Sequence, residues 1–486
     1  MKSTALRLLA VVLAAVMLLP LAACADNSGN NDQESADPAH TTEEVTEEDP
    51  YKTFDVPDLT FGNYEFNVLS ADYKEFYTPL DVEKLTGEIV SDAIYTRNRT
   101  IEDVYQIKFS NDLLPYPDLP AAMEKQVKAG GDGDYDLIML ILRNAYTATL
   151  NNYLMDYENL QYVDVNKEYY FEDLNNQFTI GHKMFFAFSA ESVNVLSFAN
   201  CLMYNKRIAS DRGMPDFYDM VDNGAWTYEE LFRYAEEAAA DTDGDGKMKL
   251  GTDVMGLIGD YDKINPAAWI SAGEFLITKD ENDIPAYTAI NSERFIEVMQ
   301  YVLENYAKSW CVPFTAGDNK RTEFMDGKSF MLSEQVGSLI SIRSMSDDYG
   351  LLPWPKYDLT QDRYYSRAED AWLHCVPTTC EDTARTSAIL QALAYYSYHS
   401  VYDAYYSQAL SAQYVRDARS VDMLKQILST MVVDIGDNVW YQDMRMPFVA
   451  NICQSKGSTK MASTLKKYQR VSEHLIKTAM DFAEKN

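Results

Sequence analysis

Between residues 64 and 142 the chain alternates strand-like and helix-like stretches, and that alternation restricts its fold more than any other feature. Residues 64–69 alternate toward a strand, residues 107–110 give a second, and residues 137–142 are continuously apolar. The last pattern is expected of a strand buried on both faces of a parallel sheet. Between the first two strands, Val90, Ala93, Ile94, Ile101, Val104 and Tyr105 fall on one helical stripe. Strand, helix, strand in this order is a βαβ unit, so the chain is α/β. Arg97 lies on the same stripe, and pairing within the core is the expectation, because a buried charge without a partner is costly.

Further on, residues 183–188 and 197–204 read as strands. Thr227 is placed as an N-cap with Glu230 closing a capping box three residues later. Residues 382–398, 401–414, 420–431 and 458–482 are helical in pattern, so strands dominate the beginning and helices the end.

The amino end is of another kind. Lys2 and Arg7 precede an uncharged apolar run, then Ala22, Ala23 and Cys24. That is the layout of a secretory signal peptide, too short for a retained membrane span. Leu21-Ala22-Ala23-Cys24 resembles a bacterial lipobox, which implies cleavage before Cys24, a lipid on its thiol, and attachment to the extracytoplasmic face of the cell membrane. Residues 25–50 carry nine acidic residues and no Lys or Arg, a composition that cannot offset the entropy of ordering and reads as a disordered tether. The remaining 486 − 23 = 463 residues are enough for two lobes. A formal charge of −33 repels phosphate backbones and anionic lipid, which argues against nucleic acid as a partner. Five cysteines follow Cys24, an odd number that implies no disulfide framework.

Several segments, taken in order and spacing, carry a resemblance: residues 87–98 opening Gly87-Glu88-Ile89, Leu202-Met203-Tyr204-Asn205-Lys206, and residues 224–231 around Trp226-Thr227-Tyr228. Residues 349–358 around Leu352-Pro353-Trp354-Pro355, and Tyr414-Val415-Arg416-Asp417, complete the set. The chain resembles family 1 extracellular solute-binding proteins, the receptor subunits of bacterial ABC importers, in their maltose-binding-protein-like, Gram-positive lipoprotein branch. The resemblance covers roughly residues 60–480. It implies a two-lobed type II periplasmic-binding-protein-like fold with lobes discontinuous in sequence. The expected divisions are a signal peptide over 1–23, lipidated Cys24 and tether over 24–50, one lobe from 51–190 plus 330–378, and another from 191–329 plus 379–486. The implied function is binding a small polar solute, best a carbohydrate, by hinge closure of the lobes, for delivery to ABC permease subunits. A monomer with no required cofactor is the expectation.

Sites in α/β lobes lie at the carboxyl ends of strands, which brings forward the loops holding Asp72 and Arg143, and Glu191 at the expected first crossing. A sugar ring lays its apolar face on an aromatic ring while its hydroxyls take polar partners. Trp269, Trp372, Trp440 and Tyr441 occupy segments that the resemblance assigns to such faces. Trp226 and Trp354 read as structural.

Asp241, Asp243 and Asp245 are spaced like positions 1, 3 and 5 of a calcium loop, with Gly246 at position 6 but Thr252 where a bidentate Glu belongs. A weak structural calcium site and a plain acidic turn both stay open. So do two rival functions, a secreted carbohydrate-active enzyme and a surface sensor or adhesin. The chain holds no G-x-S-x-G, H-E-x-x-H, P-loop or dinucleotide fingerprint, and no enzyme is expected.

Overall fold

The protein is described by a computed structural model covering residues 59–73, 79–130, 133–314, 319–406, 415–454 and 461–485. Strand β1 (Tyr64–Ala71) leads through helix α1 (Ile89–Tyr105) to β2 (Ile107–Leu114), and then to β3 (Leu137–Ile141) and α2 (Leu142–Leu150). β1 runs parallel to β2 from Tyr64 opposite Ile107 to Ala71 opposite Leu114, and parallel to β3 with Val68 opposite Leu137. All five residues of β3 are buried, as its unbroken apolar run requires. α1 buries Ile94, Ile101 and Tyr105, and ends where Gln106 turns left-handed at φ 52°. Arg97, 3% exposed, donates to the Leu80 carbonyl at 2.6 Å and to Ser397 Oγ at 3.0 Å, so it is paired inside the core as expected.

The second sheet uses β4 (Asn200–Asn205), β5 (Met255–Asp260), β6 (Cys311–Phe314), β7 (Ser329–Gln335) and β8 (Tyr349–Leu352), in the order β8-β4-β7-β5-β6. Around it pack helices α3 (Tyr228–Ala238) and α4 (Tyr261–Ser271). β9 (Trp372–Cys375) then returns to the first sheet, antiparallel to β3, giving the order β9-β3-β1-β2. Later helices include α5 (Thr383–Ser397), α6 (Ala418–Ser429) and α7 (Met461–Ala483), with a further helical stretch over Met446–Gln454 before the last.

Three expectations are corrected. Residues 183–188 form no strand. Phe185, Phe186 and Phe188 are buried as aromatic anchors, and Asn175 stands in for a strand neighbour by donating to the Phe188 carbonyl and accepting its N–H. Thr227 does begin α3, but its hydroxyl makes no capping bond and Glu230 pairs with Arg233 instead. The lobe boundaries also shift. β7 and β8 pair with β4 and β5 in the second sheet, while α5, buried along most of its length, packs against α1 and shares a core with Phe66 and Val68. A helix with so little polar surface must be covered on every side, which holds it to the first sheet.

The chain therefore crosses between sheets just before β4, and returns just before β9. The two crossing segments lie antiparallel: Ala199 bridges Ala368, and the Glu369 N–H donates to the Phe198 carbonyl at 3.3 Å. Asn194 clasps the backbone of Trp372, accepting its N–H at 2.9 Å and donating to its carbonyl at 3.3 Å.

Candidate functional site

The parallel strands of both sheets end toward these crossing segments: Trp372 pairs with Ile141 at the end of β3, and Asn200 with Gln335 at the end of β7. Two carboxyl edges thus face a shared floor, where α/β folds bind their ligands.

On the first edge, Asp72 is exposed just after β1, its N–H donating to the Leu114 carbonyl. Beside it three aromatic rings meet: Tyr73, Tyr116 and Trp372, with centroids 5.6 to 5.9 Å apart. Trp372 is 3% exposed and its indole Nε1 is buried without a hydrogen-bond partner. Sequence reasoning named Trp372 and the loop that carries Tyr73, but missed Tyr116. Its position two residues beyond the end of β2, matching that of Tyr73 beyond β1, was the available signal.

Arg143, in the first turn of α2, pairs with Asp370 on the returning crossing segment. Its guanidinium stands 5.4 Å from the Tyr441 ring, which also carries Arg445 at 4.2 Å. Asp370 is held left-handed at φ 47°, its N–H donating to Asn438 Oδ1 at 2.9 Å. Burial pushes its carboxyl up to about 6 against the pull of Arg143, and its Oδ1 has no partner. Arg143, Asp370 and Tyr441 therefore come together.

Glu191 has its carboxylate 2.9 Å from His374 Nδ1. Burial works to raise that carboxyl, but His374, with Arg97 beyond, holds it below its ordinary value. It is thus a paired structural group. Trp440, 4% exposed, packs edge-on against Tyr146. Trp269 is a correction: it is 0% exposed, wedged between Phe295 and Phe448, because the α4 surface around it is apolar and enclosed.

On the second edge, Asp260 closes β5 and pairs with Lys320, which also reaches Glu334 at 3.0 Å. Arg321 adds to Glu334 at 3.1 Å. Lys263 donates to Gln335 Oε1, and Gln335 Nε2 donates to Glu369 on the crossing segment. Glu369 accepts from Arg367 and Arg445. Arg367, 1% exposed, also clasps Asp437 with two nitrogens, at 2.7 and 3.1 Å. Asp260 Oδ1, Asp262 Oδ1 and Arg445 Nε are buried without partners.

The acidic loop lies elsewhere. Carboxylate oxygens of Asp241, Asp243 and Asp253 fall within 4.8 Å of one another. Asp245 is outside that trio, because Lys249 draws it into an ion pair while also standing 3.5 Å from Asp243. Asp241 accepts the Gly244 and Gly246 N–H groups at 2.7 Å, and Asp253 accepts those of Thr242 and Lys249. Cys201, Cys311, Cys375 and Cys380 are free thiols. Among the described residues no helix is long and apolar enough to cross a membrane.

Comparison with solved structures places this architecture. A cyclic α-maltosyl-1,6-maltose binding protein from Arthrobacter globiformis is 15% identical over 87% of this chain and 100% of its own, with a TM-score of 0.59. An extracellular solute-binding protein from Staphylococcus aureus in complex with maltose is 11% identical, covering 88% of this chain and 98% of its own, at 0.56. An ABC substrate-binding protein from Listeria monocytogenes in complex with cycloalternan is 14% identical, covering 85% and 99%, at 0.55. At these identities the likeness is one of fold. A comparison with curated proteins returns no significant match. Residues 100–402 match the family model of the bacterial extracellular solute-binding proteins. With two sheets meeting at crossing segments and that match spanning most of the chain, the protein belongs to this family.

Proposed function

We propose that this chain is the carbohydrate receptor of an ABC importer, held outside the membrane by a lipid on Cys24 and acting as a monomer. The observation that carries the carbohydrate reading is the aromatic group of Tyr73, Tyr116 and Trp372 beside Asp72, at the carboxyl edge of the first sheet. Clustered rings, meeting edge-on or tilted, next to a carboxylate suit the two surfaces of a sugar, one of C–H groups and one of hydroxyls. The structural relatives named above include proteins in complex with maltose and cycloalternan, which favours the same class. Closure of the lobes follows if the solute binds the closed arrangement better than the open one.

One constellation bears on the enzyme alternative. Ser70, His374 and Glu191 line up, with Ser70 Oγ 3.5 Å from His374 Nε2. Yet Ser70 is fully buried and its Oγ donates to Asn111 Oδ1 at 2.7 Å, so it serves packing rather than attack. A thermal-shift titration with maltotetraose and equal-length xylo-, cello- and manno-oligosaccharides tests the function. A bound sugar at a hundred times its Kd stabilises by about 2.7 kcal/mol, a rise in Tm of several degrees. The sugar should be recovered intact, and repeated turnover of product would replace a receptor with an enzyme.

The acidic loop is read as a turn that keeps its shape without a metal. The Lys249 ammonium stands 3.5 Å from Asp243 and pairs with Asp245, and backbone N–H groups take much of the acceptor capacity of Asp241 and Asp253. Millimolar calcium or excess chelator should leave Tm unchanged within about 1 °C, since only a bound ligand shifts it. A rise in calcium reversed by chelator would instead assign the ion to Asp241, Asp243 and Asp253.

A further inference from the structure

Residues 171–188 leave the first lobe and return to it. At the base, Tyr170 bridges Ser189, the Phe171 N–H donates to the Phe188 carbonyl at 3.1 Å, and the Ala190 N–H donates to the Tyr169 carbonyl at 2.8 Å. Tyr169, Tyr170 and Ala190 share a core with Phe66 and Val68 of β1, and the Tyr170 hydroxyl donates to Gln391 of α5 at 2.9 Å. The loop is rooted in the first lobe.

Its tip grips the second. After α4, Ile277–Lys279 and Pro285–Tyr287 pair as a short antiparallel hairpin. Asp434 fixes the hairpin there by accepting the Leu276 and Ile277 N–H groups at 2.6 and 3.1 Å, and the Tyr287 hydroxyl donates to the Leu465 carbonyl of α7. From the hairpin, Lys279 Nζ donates to the Asn176 carbonyl at 2.7 Å, and to the carbonyl and hydroxyl of Thr179 at 3.1 and 2.9 Å. Asp283, paired with Lys279, accepts the Thr179 hydroxyl at 2.9 Å and the His182 N–H at 2.8 Å. These two charged side chains are only 12% and 7% exposed. Beside them, Gln177 Oε1 accepts the Val433 N–H at 2.6 Å, and Phe185 meets Phe482 of α7 edge-on at 5.2 Å.

The tip is shaped for this contact. Ile180 and Lys183 exchange hydrogen bonds around Gly181 and His182, at φ 60° and 65°, a two-residue turn with both central residues left-handed. A residue with a side chain, such as His182, is seldom left-handed, and Asp283, itself at φ 63°, holds it so. Gly181 lies against α7, where an added Cβ would come within 2.6 Å of that of Ala483.

We infer that residues 171–188 form a strap that holds the two lobes together apart from the crossing segments, so that parting the lobes requires the tip to release Lys279 and Asp283. A swing about the crossing segments could leave a single contact on its axis in place. A grip shared among the hairpin, Val433 and the last turn of α7 has breadth, and a swing must slip or release part of it. The strap thus restrains the solute-free protein, whatever solute the cleft takes.

The test uses the soluble chain beginning after Cys24, without ligand, and compares wild type with Lys279→Met, Thr179→Val and Gly181→Asn. The first removes the ammonium, and the second removes the hydroxyl that joins Lys279 to Asp283 while keeping its shape. The third tolerates the left-handed turn but drives a side chain into Ala483. Hydrogen exchange read by mass spectrometry should show peptides over residues 176–186 exchanging ~10- to 100-fold faster, the factor for losing a hydrogen bond to a charged partner. Small-angle X-ray scattering should show a larger radius of gyration in the same variants, as the lobes move apart. Tm reports whether each variant folds, and Thr179→Val, the mildest change, is the check should the others unfold. A radius of gyration equal to that of wild type in every folded variant overturns the strap, even where exchange quickens, because the loop would then pack against the second lobe without restraining it. Exchange unchanged in every folded variant overturns it as well.

Discussion

Arg367→Met is expected to destabilise the folded protein by about 3–5 kcal/mol, the cost of leaving one side of a buried ion pair uncompensated. Arg367 has no exposed side chain, and neither does Asp437, whose two oxygens it holds. Removing the guanidinium also strips a donor from Asn200 Oδ1, 2.8 Å away, and a charge from Glu369. Arg445 reaches Asp437 only at 3.5 Å and is occupied with Glu369 at 2.7 Å, so it compensates little. Tryptophan fluorescence in urea measures the loss as a fall in midpoint. The double variant Arg367→Met with Asp437→Leu removes both charges and should recover most of it, because an apolar pair of similar volume is often no worse than a buried ion pair. A single variant within about 1 kcal/mol of wild type would mean that neighbouring groups neutralise Asp437 unaided.

Cys24→Ser is expected to move the protein from the membrane fraction into the medium. Cys24 and the tether lie outside the described residues, so this prediction stands on the sequence alone. Two acyl chains buried at about 0.8 kcal/mol per methylene hold a protein durably, whereas a single chain holds it only marginally. Serine offers no thiol for the lipid. Fractionation of expressing cells followed by immunoblotting reads the outcome, and an equal membrane-bound share for variant and wild type would remove the anchor.

The regular parts of the fold were legible because periodicity is a local property. The stripe from Val90 to Tyr105 foretold α1 within a residue of Ile89–Tyr105, and the apolar run at 137–142 foretold β3. What escaped depends on partners distant in sequence. The aromatic run at 183–188 suits a strand or a packed loop equally, and only Asn175 decides for the loop. Nothing local says that β7 and β8 lie beside β4 rather than β3, since strand neighbours are set by which faces remain to be covered. Among the site residues, Arg143, Asp370 and Tyr441 meet only because α2, the crossing segment and a stretch 300 residues away converge, and Asp370 carried no signal of its own. Trp372 and Trp269 looked alike as tryptophans in an aromatic-rich chain. Both are buried; the one at a strand end packs against Tyr73 and Tyr116 beside the crossing segment, and the one in an enclosed helix lies between Phe295 and Phe448.

The paired crossing segments carry a mechanical consequence. A single strand joining two bodies can bend and also spin about its own axis, because φ and ψ are free at every residue. Here two strands are stitched together by the Ala199–Ala368 bridge, the Glu369 to Phe198 hydrogen bond, and the grip of Asn194 on Trp372. Spinning would shear those rungs apart, whereas bending across the ribbon leaves them intact. Of the motions open to this ribbon, bending across it is therefore the one its cross-links resist least.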